Sequence, residues 1–139
     1  MELSDELYDQ IVSKLEQGDQ YAEAGEYNKA IEKYESALNL VPLQKENWEV
    51  SLHIYTAMAD SYFNLGNYQQ ANNNYEQALK CPDGLGNGYV WLGLGETYYE
   101  LENMDKAKDA LMSAYMLEGK EIFEDEDDKY FSLIQDSIG

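Results

Sequence analysis

Read for its apolar positions, the chain falls into helical stretches. Leu3, Leu7, Ile11 and Leu15 recur every four residues near the amino terminus. Similar three-and-four spacing returns through Trp48, Leu52, Tyr55, Ala59 and Tyr62, and again through Trp91, Leu94, Gly95 and Tyr98. That period lays one apolar stripe along a helix, and Gly25 and Gly66 interrupt it. The segment GEYNKAIEKYESALNL at 25–40 is repeated, 41 residues on, as GNYQQANNNYEQALK from position 66. A third copy, weaker in its second half, follows 36 residues later within WLGLGETYYELENMDKAKDALMSAY at 91–115. Each copy predicts a helix, a tight turn and a second helix.

Three columns of the aligned copies hold only Ala or Gly: Gly18, Ala59 and Gly95; Ala30, Ala71 and Ala107; Ala37, Ala78 and Ala114. Small side chains at helical spacing let two helix axes approach closely while large neighbours fill the grooves alongside. The columns Tyr21, Tyr62, Tyr98, then Tyr27, Tyr68 with Met104, then Tyr34, Tyr75 with Leu111 supply that filling. Seven of the 13 tyrosines fall there, so the excess of tyrosine is structural before it is functional. At the chain's start, Leu3, Leu7, Ile11 and Leu15 extend the first helix backwards from the repeat. At its end, Tyr130, Phe131, Leu133, Ile134 and Ile138 predict a short amphipathic helix at about 126–138 that covers the third copy, as repeat arrays require. A dimer contact through that helix is the rival use.

The run Trp91, Leu94, Gly95 and Tyr98, followed by Ala107 and Ala114, resembles the tetratricopeptide repeat, whose pattern is W-x2-L-G-x2-Y, then Ala, an aromatic residue and Pro. The resemblance covers roughly residues 11–121. Lys14 and Tyr55 stand at the Trp place in the first two copies, Pro42 alone keeps the closing Pro cleanly, and Leu111 replaces the aromatic residue of the third. The resemblance implies an all-α fold, an α-solenoid of three helix-turn-helix units at about 11–44, 52–85 and 88–121. These form a single domain over 1–139, with the helix extension before them and the capping helix behind. The first spacing exceeds the family's usual length of about 34 residues by seven. Seven residues are close to two turns, which predicts a lengthened first helix in the second unit, roughly 44–65. CPDGLGNG at 81–88 carries Pro82, Gly84, Gly86 and Gly88 and predicts a loop.

Composition narrows the setting. A chain of 139 residues, 44% apolar, has the length and content of one globular domain. It has no run of eighteen apolar residues, and its acidic start, MELSDELYDQ, is unlike a cationic targeting peptide. With a single cysteine, Cys81, these features point to the cytoplasm. The 28 acidic residues against 9 basic give a net charge of −19. Such a surface repels nucleic-acid phosphates and anionic lipid and attracts cationic partners over a salt-dependent range. DNA, RNA and membranes are therefore not expected partners, though the charge also serves solubility alone.

Candidate chemistry is sparse. His53 is the only histidine, and no nucleophile stands beside it in the sequence. Zinc sites want three or four nitrogen and sulfur ligands, which this chain cannot supply. EDEDD at 124–128 lacks the alternating ligands, central Gly and distal Glu of a calcium loop, and reads as acids opening the last helix. GLGNG at 84–88 has no following Lys-Ser/Thr and is no phosphate loop. No enzymatic activity, cofactor or metal is expected.

What remains is a surface. In the tetratricopeptide family the first helix of each unit lines a concave face, and projecting this sequence accordingly selects partner-binding candidates in three sets. They are Glu16, Asp19 and Glu23; His53, Asp60, Phe63 and Asn64; and Tyr89, Leu92, Glu96, Tyr99 and Glu100. Asp19, Asp60 and Glu96 occupy equivalent places, a ladder suited to Lys or Arg side chains where aromatic rings flank it. A solvated polar face with no ligand is the plainer alternative. Family members that clamp the acidic carboxy terminus of a heat-shock chaperone need Lys, Arg and Asn in the groove, and these sets contain no Lys or Arg. The sequence thus reads as a non-enzymatic, monomeric interaction module for a basic protein segment. An immunity protein or inhibitor covering a basic toxin domain, such as a nuclease, and a secretion chaperone are the alternatives.

Overall fold

In the computed structural model, which describes residues 3–138, three helix pairs follow one another along the chain. They are α1 (Asp5–Glu23) with α2 (Tyr27–Leu40), α3 (Glu49–Asn64) with α4 (Tyr68–Leu79), and α5 (Gly88–Glu100) with α6 (Met104–Glu118). A last helix, α7 (Asp128–Ile138), closes the array. Among the described residues there is no strand.

One reversal recurs in every pair. The N–H of Glu26 donates to the carbonyl of Tyr21 at 2.8 Å, and Asn67 to Tyr62 and Asn103 to Tyr98 at 2.9 Å each. This is the bond that ties off a helix end around one left-handed residue. Gly25 (φ 77°) and Gly66 (φ 79°) take that residue in the first two units. In the third, Glu102 takes it at φ 63°, where a side chain costs about 1 kcal/mol or more. Helix starts are helped by Asn67 and Asn103, whose Oδ1 atoms accept from the N–H of Gln70 and Lys106.

All nine small-column residues are buried, and the structure shows what occupies the space they leave. A Cβ on Gly18 would lie 2.4 Å from Cε1 of Tyr34, and a Cβ on Gly95 would lie 2.6 Å from Cδ2 of Leu111. Tyr34, Tyr75 and Leu111 are the ring and side chain of one column, all buried, and each burial contributes about 1.5–3 kcal/mol. The outer tyrosines are less enclosed: Tyr21, Tyr27, Tyr62, Tyr68 and Tyr98 are half-buried, and Met104 is exposed.

The seven extra residues before the second unit do not carry its helix back to about 44, contrary to the spacing argument; α3 has 16 residues against 13 in α5. α3 begins only at Glu49, after a single 3-10 turn at Lys45–Asn47. Val41 is extended ahead of Pro42, Gln44 is left-handed at φ 60°, and Trp48 is extended again, so helix cannot propagate through the segment. Lys45 folds back and its Nζ donates to the carbonyls of Leu38, at 2.8 Å, and Val41. The Leu38 carbonyl also accepts the N–H of Val41 at 3.0 Å, so Lys45 adds a second donor there and sets a cation at the negative end of α2.

α7 lies against its own chain. Tyr130 and Ile134 are buried with Leu92, Leu111, Ala114, Ile122 and Phe123 in the third cluster of the core, and Phe131, Leu133 and Ile138 pack at its edge. Asp127 Oδ1 accepts from the N–H of Lys129 at 3.0 Å, which starts the helix. No described helix is long and apolar enough to cross a membrane.

Candidate functional site

The first helices of the units, α1, α3 and α5, line two adjoining hollows. α1 brings Asp19, Ala22 and Glu23 to the first, and α3 brings Glu49, Leu52, His53, Thr56, Ala57, Asp60 and Asn64, around a volume of about 690 Å³. The second, about 440 Å³, lies between α3 and α5, with Asp60, Phe63 and Asn64 on one side and Tyr89, Leu92, Gly93 and Glu96 on the other. Glu126, from the segment before α7, reaches into it. Neither lining contains a lysine, and the chain has no arginine.

Beneath the surface carboxylates runs a hydrogen-bonded ladder. Tyr34 Oη donates to Asp19 Oδ1 at 2.6 Å, and one unit later Tyr75 Oη donates to Asp60 Oδ1. Gly93 makes the second bond feasible, because a Cβ there would strike the Tyr75 ring at 2.3 Å. Burial first, and then the aspartate partner, raise the phenol of Tyr34 far above its ordinary value, and the Tyr75 phenol is raised likewise. Both rings therefore stay protonated donors. Bonds from a neutral donor to a charged acceptor contribute about 1.5–3 kcal/mol each.

The third rung is different. Leu111 stands where the other units have tyrosine, so Glu96 receives no hydroxyl. Glu96 is 7% exposed, and no donor reaches its Oε2. The carboxyl of Glu126 lies within hydrogen-bonding reach of it. Burial above all, then Glu126, Asp60 and Glu100, push the Glu96 carboxyl from 4.5 up to about 10. Asp60 is raised too, because desolvation and Glu126 outweigh the lowering by the Tyr75 hydroxyl and His53. His53 Nε2 is 3.9 Å from Asp19 Oδ2 across the first hollow, with side chains 61% and 40% exposed, a contact worth little in water.

The projected site residues separate accordingly. Asp19, Glu23, His53, Asp60 and Asn64 share the first hollow, and Asp60, Phe63, Asn64, Tyr89, Leu92 and Glu96 share the second. Glu16 is exposed on α1 and lines neither. Tyr99 and Glu100 do not face an open groove, because α7 covers them. Tyr99 packs edge-on against Tyr130 at 5.3 Å, and Glu100 accepts from Lys129 Nζ and Tyr130 Oη at 2.7 Å each. Leu92 belongs to the core cluster beneath α7. Among the described residues no group of three or more His, Cys, Asp or Glu could hold a metal ion.

The sequence reading passed over Glu49, Tyr27, the two ladder tyrosines and Glu126. The ladder had a signal: both donor–acceptor pairs are separated by 15 residues, an offset the repeat preserves. Glu126 lies outside the repeats, in the EDEDD run whose acids the sequence assigns to the start of the last helix and not to the groove.

Residues 8–122 match the family model described as Cilia and flagella-associated protein 70 C-terminal domain. No curated protein sequence matches the chain. Among solved structures, the first TPR of Spaghetti (RPAP3) bound to the HSP90 peptide SRMEEVD is similar with a TM-score of 0.75 and 18% identity, covering 94% of this chain and 95% of that one. The TPR domain of Arabidopsis OM64 gives 0.73 at 19% identity, with coverage of 94% and 95%. The Yersinia enterocolitica type III secretion chaperone SycD, in complex with a peptide of the translocator YopD, gives 0.72 at 14% identity, covering 98% and 95%. At these identities the likeness is one of fold.

Proposed function

Because the chain belongs to the tetratricopeptide-repeat family described as Cilia and flagella-associated protein 70 C-terminal domain, we propose that it is a non-enzymatic interaction module whose concave face takes a basic segment of a protein partner. The observation that carries this reading is the first hollow, where Asp19, Glu23, Glu49 and Asp60 converge and no lysine answers them. Relatives of this fold hold peptides, SRMEEVD in the Spaghetti (RPAP3) structure and a YopD peptide in SycD. The occupant of this chain's hollow follows from its charge: an acidic peptide meets only like charge, whereas lysine and arginine side chains gain charge-assisted hydrogen bonds and steered encounter.

Two structural facts support the rest of the reading. The apolar side of α7 is buried on its own chain, which favours a monomer. Cys81 is buried and free, its thiol raised to about 11 by burial and then by Glu46. Such a thiol is unreactive and suits work in the cytoplasm.

The ladder decides which residues test the groove. Asp60 is tied to Tyr75, so replacing it disturbs the fold as well as the surface. Glu23 and Glu49 are exposed and line the same hollow. Glu23→Lys together with Glu49→Lys is expected to weaken binding of a lysine-rich peptide about tenfold or more while thermal unfolding stays within a few degrees of the parent. Calorimetric titration reads the affinity, and unchanged affinity in a folded variant contradicts the proposal.

A further inference from the structure

The second hollow is built around a carboxyl that the fold leaves without a donor. Glu96 is 7% exposed and lines the hollow, and no donor from the rest of the protein reaches its Oε2, whose near neighbour is the carboxyl of Glu126. Asp60 on α3 and Glu126 ahead of α7 face the same space. The groups around Glu96 are Asp60, Tyr75 on α4, Glu100 on its own helix, Glu126, and Tyr130 on α7. All are acids or phenols. Three carboxyls line this hollow with no cation among its lining residues, and the site is short of one positive charge.

We propose that this hollow seats one lysine side chain of the partner, its ammonium entering between Asp60, Glu96 and Glu126. The inference rests on the reading that the concave face takes a basic segment, and it names where that segment anchors. Three observations select the occupant. Among the described residues no group of three or more His, Cys, Asp or Glu could hold a metal ion, which favours a cation carried on a side chain. An ammonium is compact and splays three donors toward carboxyls carried by three different segments, whereas the five donors of a guanidinium all lie in one plane. Phe63, Leu92 and Tyr89 line the approach and offer apolar and aromatic surface to a four-carbon stem.

In the free protein the missing charge is supplied by a proton held on Glu96, whose burial keeps it there at neutral pH. An ammonium arriving beside it favours the ionised carboxylate, so lysine displaces that proton. Binding is therefore coupled to proton release, which simple attraction to an acidic surface does not produce.

The test is calorimetric titration near neutral pH in two buffers of different ionisation enthalpy, with acetyl-hexalysine amide and acetyl-hexaarginine amide as probes. Hexalysine is expected to bind the parent with release of about one proton per complex. Glu96→Gln is expected to abolish the release and weaken hexalysine about tenfold. Glu126→Gln, at a half-buried carboxyl outside the helices, is expected to reduce both and reads the same site a second time from a less enclosed position. Hexalysine binding without proton release, or with both variants unaffected, overturns the lysine seat and leaves the groove reading standing. Equal release with hexaarginine overturns the assignment to lysine. Failure of both peptides to bind the parent overturns the seat and the groove together.

Discussion

Glu96→Gln is expected to stabilise the protein at neutral and alkaline pH and to leave its stability unchanged in acid. The folded chain holds a proton on Glu96 that the unfolded chain releases above the ordinary value of 4.5, because burial and the neighbouring acids raise the folded carboxyl to about 10. The stability this group contributes is thus complete below 4.5 and is lost as pH rises through the interval up to about 10. In that interval the folded state binds more protons than the unfolded state, so stability falls by up to about 1.4 kcal/mol per pH unit. Glutamine has the same shape as a protonated glutamate and no proton to lose. The gain over the parent is expected to be near zero below about pH 4 and about 3 kcal/mol at neutral pH. Urea unfolding across a pH series measures it. Parallel curves for parent and variant at every pH would show that Glu96 titrates alike in both states.

Gly95→Leu is expected to lower stability by about 3 kcal/mol or more. Even a Cβ at this position would stand 2.6 Å from Cγ and Cδ2 of Leu111 and 3.1 Å from its backbone nitrogen. Leu111 is fully buried and has nowhere to swing, so α5 and α6 must separate. The better helix propensity of leucine returns only about 1 kcal/mol. For a chain of this size the net loss lowers Tm by several degrees, on the order of 10 °C. Gly86→Ala is the control, because a Cβ there meets no atom within 4 Å, and its Tm is expected to stay within about 2 °C. Equal Tm values for the two variants would remove the close helix contact from the account of the fold.

What could be read in the sequence was what the packing repeats. The crossings of α1 with α2, α3 with α4 and α5 with α6 each demand a small residue opposite a large one, so Gly18 and Tyr34 announced the same geometry as Gly95 and Leu111. The insert at 41–48 was misread because a count of seven residues fits two helical turns as well as a loop. The features that decide for the loop, left-handed Gln44 and Lys45 turned back onto α2, carry no periodic mark. The candidate site was legible only where its residues sit on repeating helices. Asp19, Asp60 and Glu96 could be projected onto one face, but a projection cannot see that two of them are held from beneath by tyrosines. Nor can it see that α7 claims Tyr99 and Glu100, since that contact belongs to the tertiary fold. Leu111 looked like a weakened repeat residue. Structurally it is the reason Glu96 has no donor, and so the source of the one irregular rung in the groove.

The measurement closest to the centre of the account is a side-by-side calorimetric titration of the parent protein with acetyl-hexalysine amide and with SRMEEVD, the peptide held by the structurally similar Spaghetti (RPAP3) domain. An acidic concave face predicts that the lysine peptide binds, more weakly as salt rises, and that SRMEEVD gives no binding. Binding of SRMEEVD with no binding of the lysine peptide would contradict it.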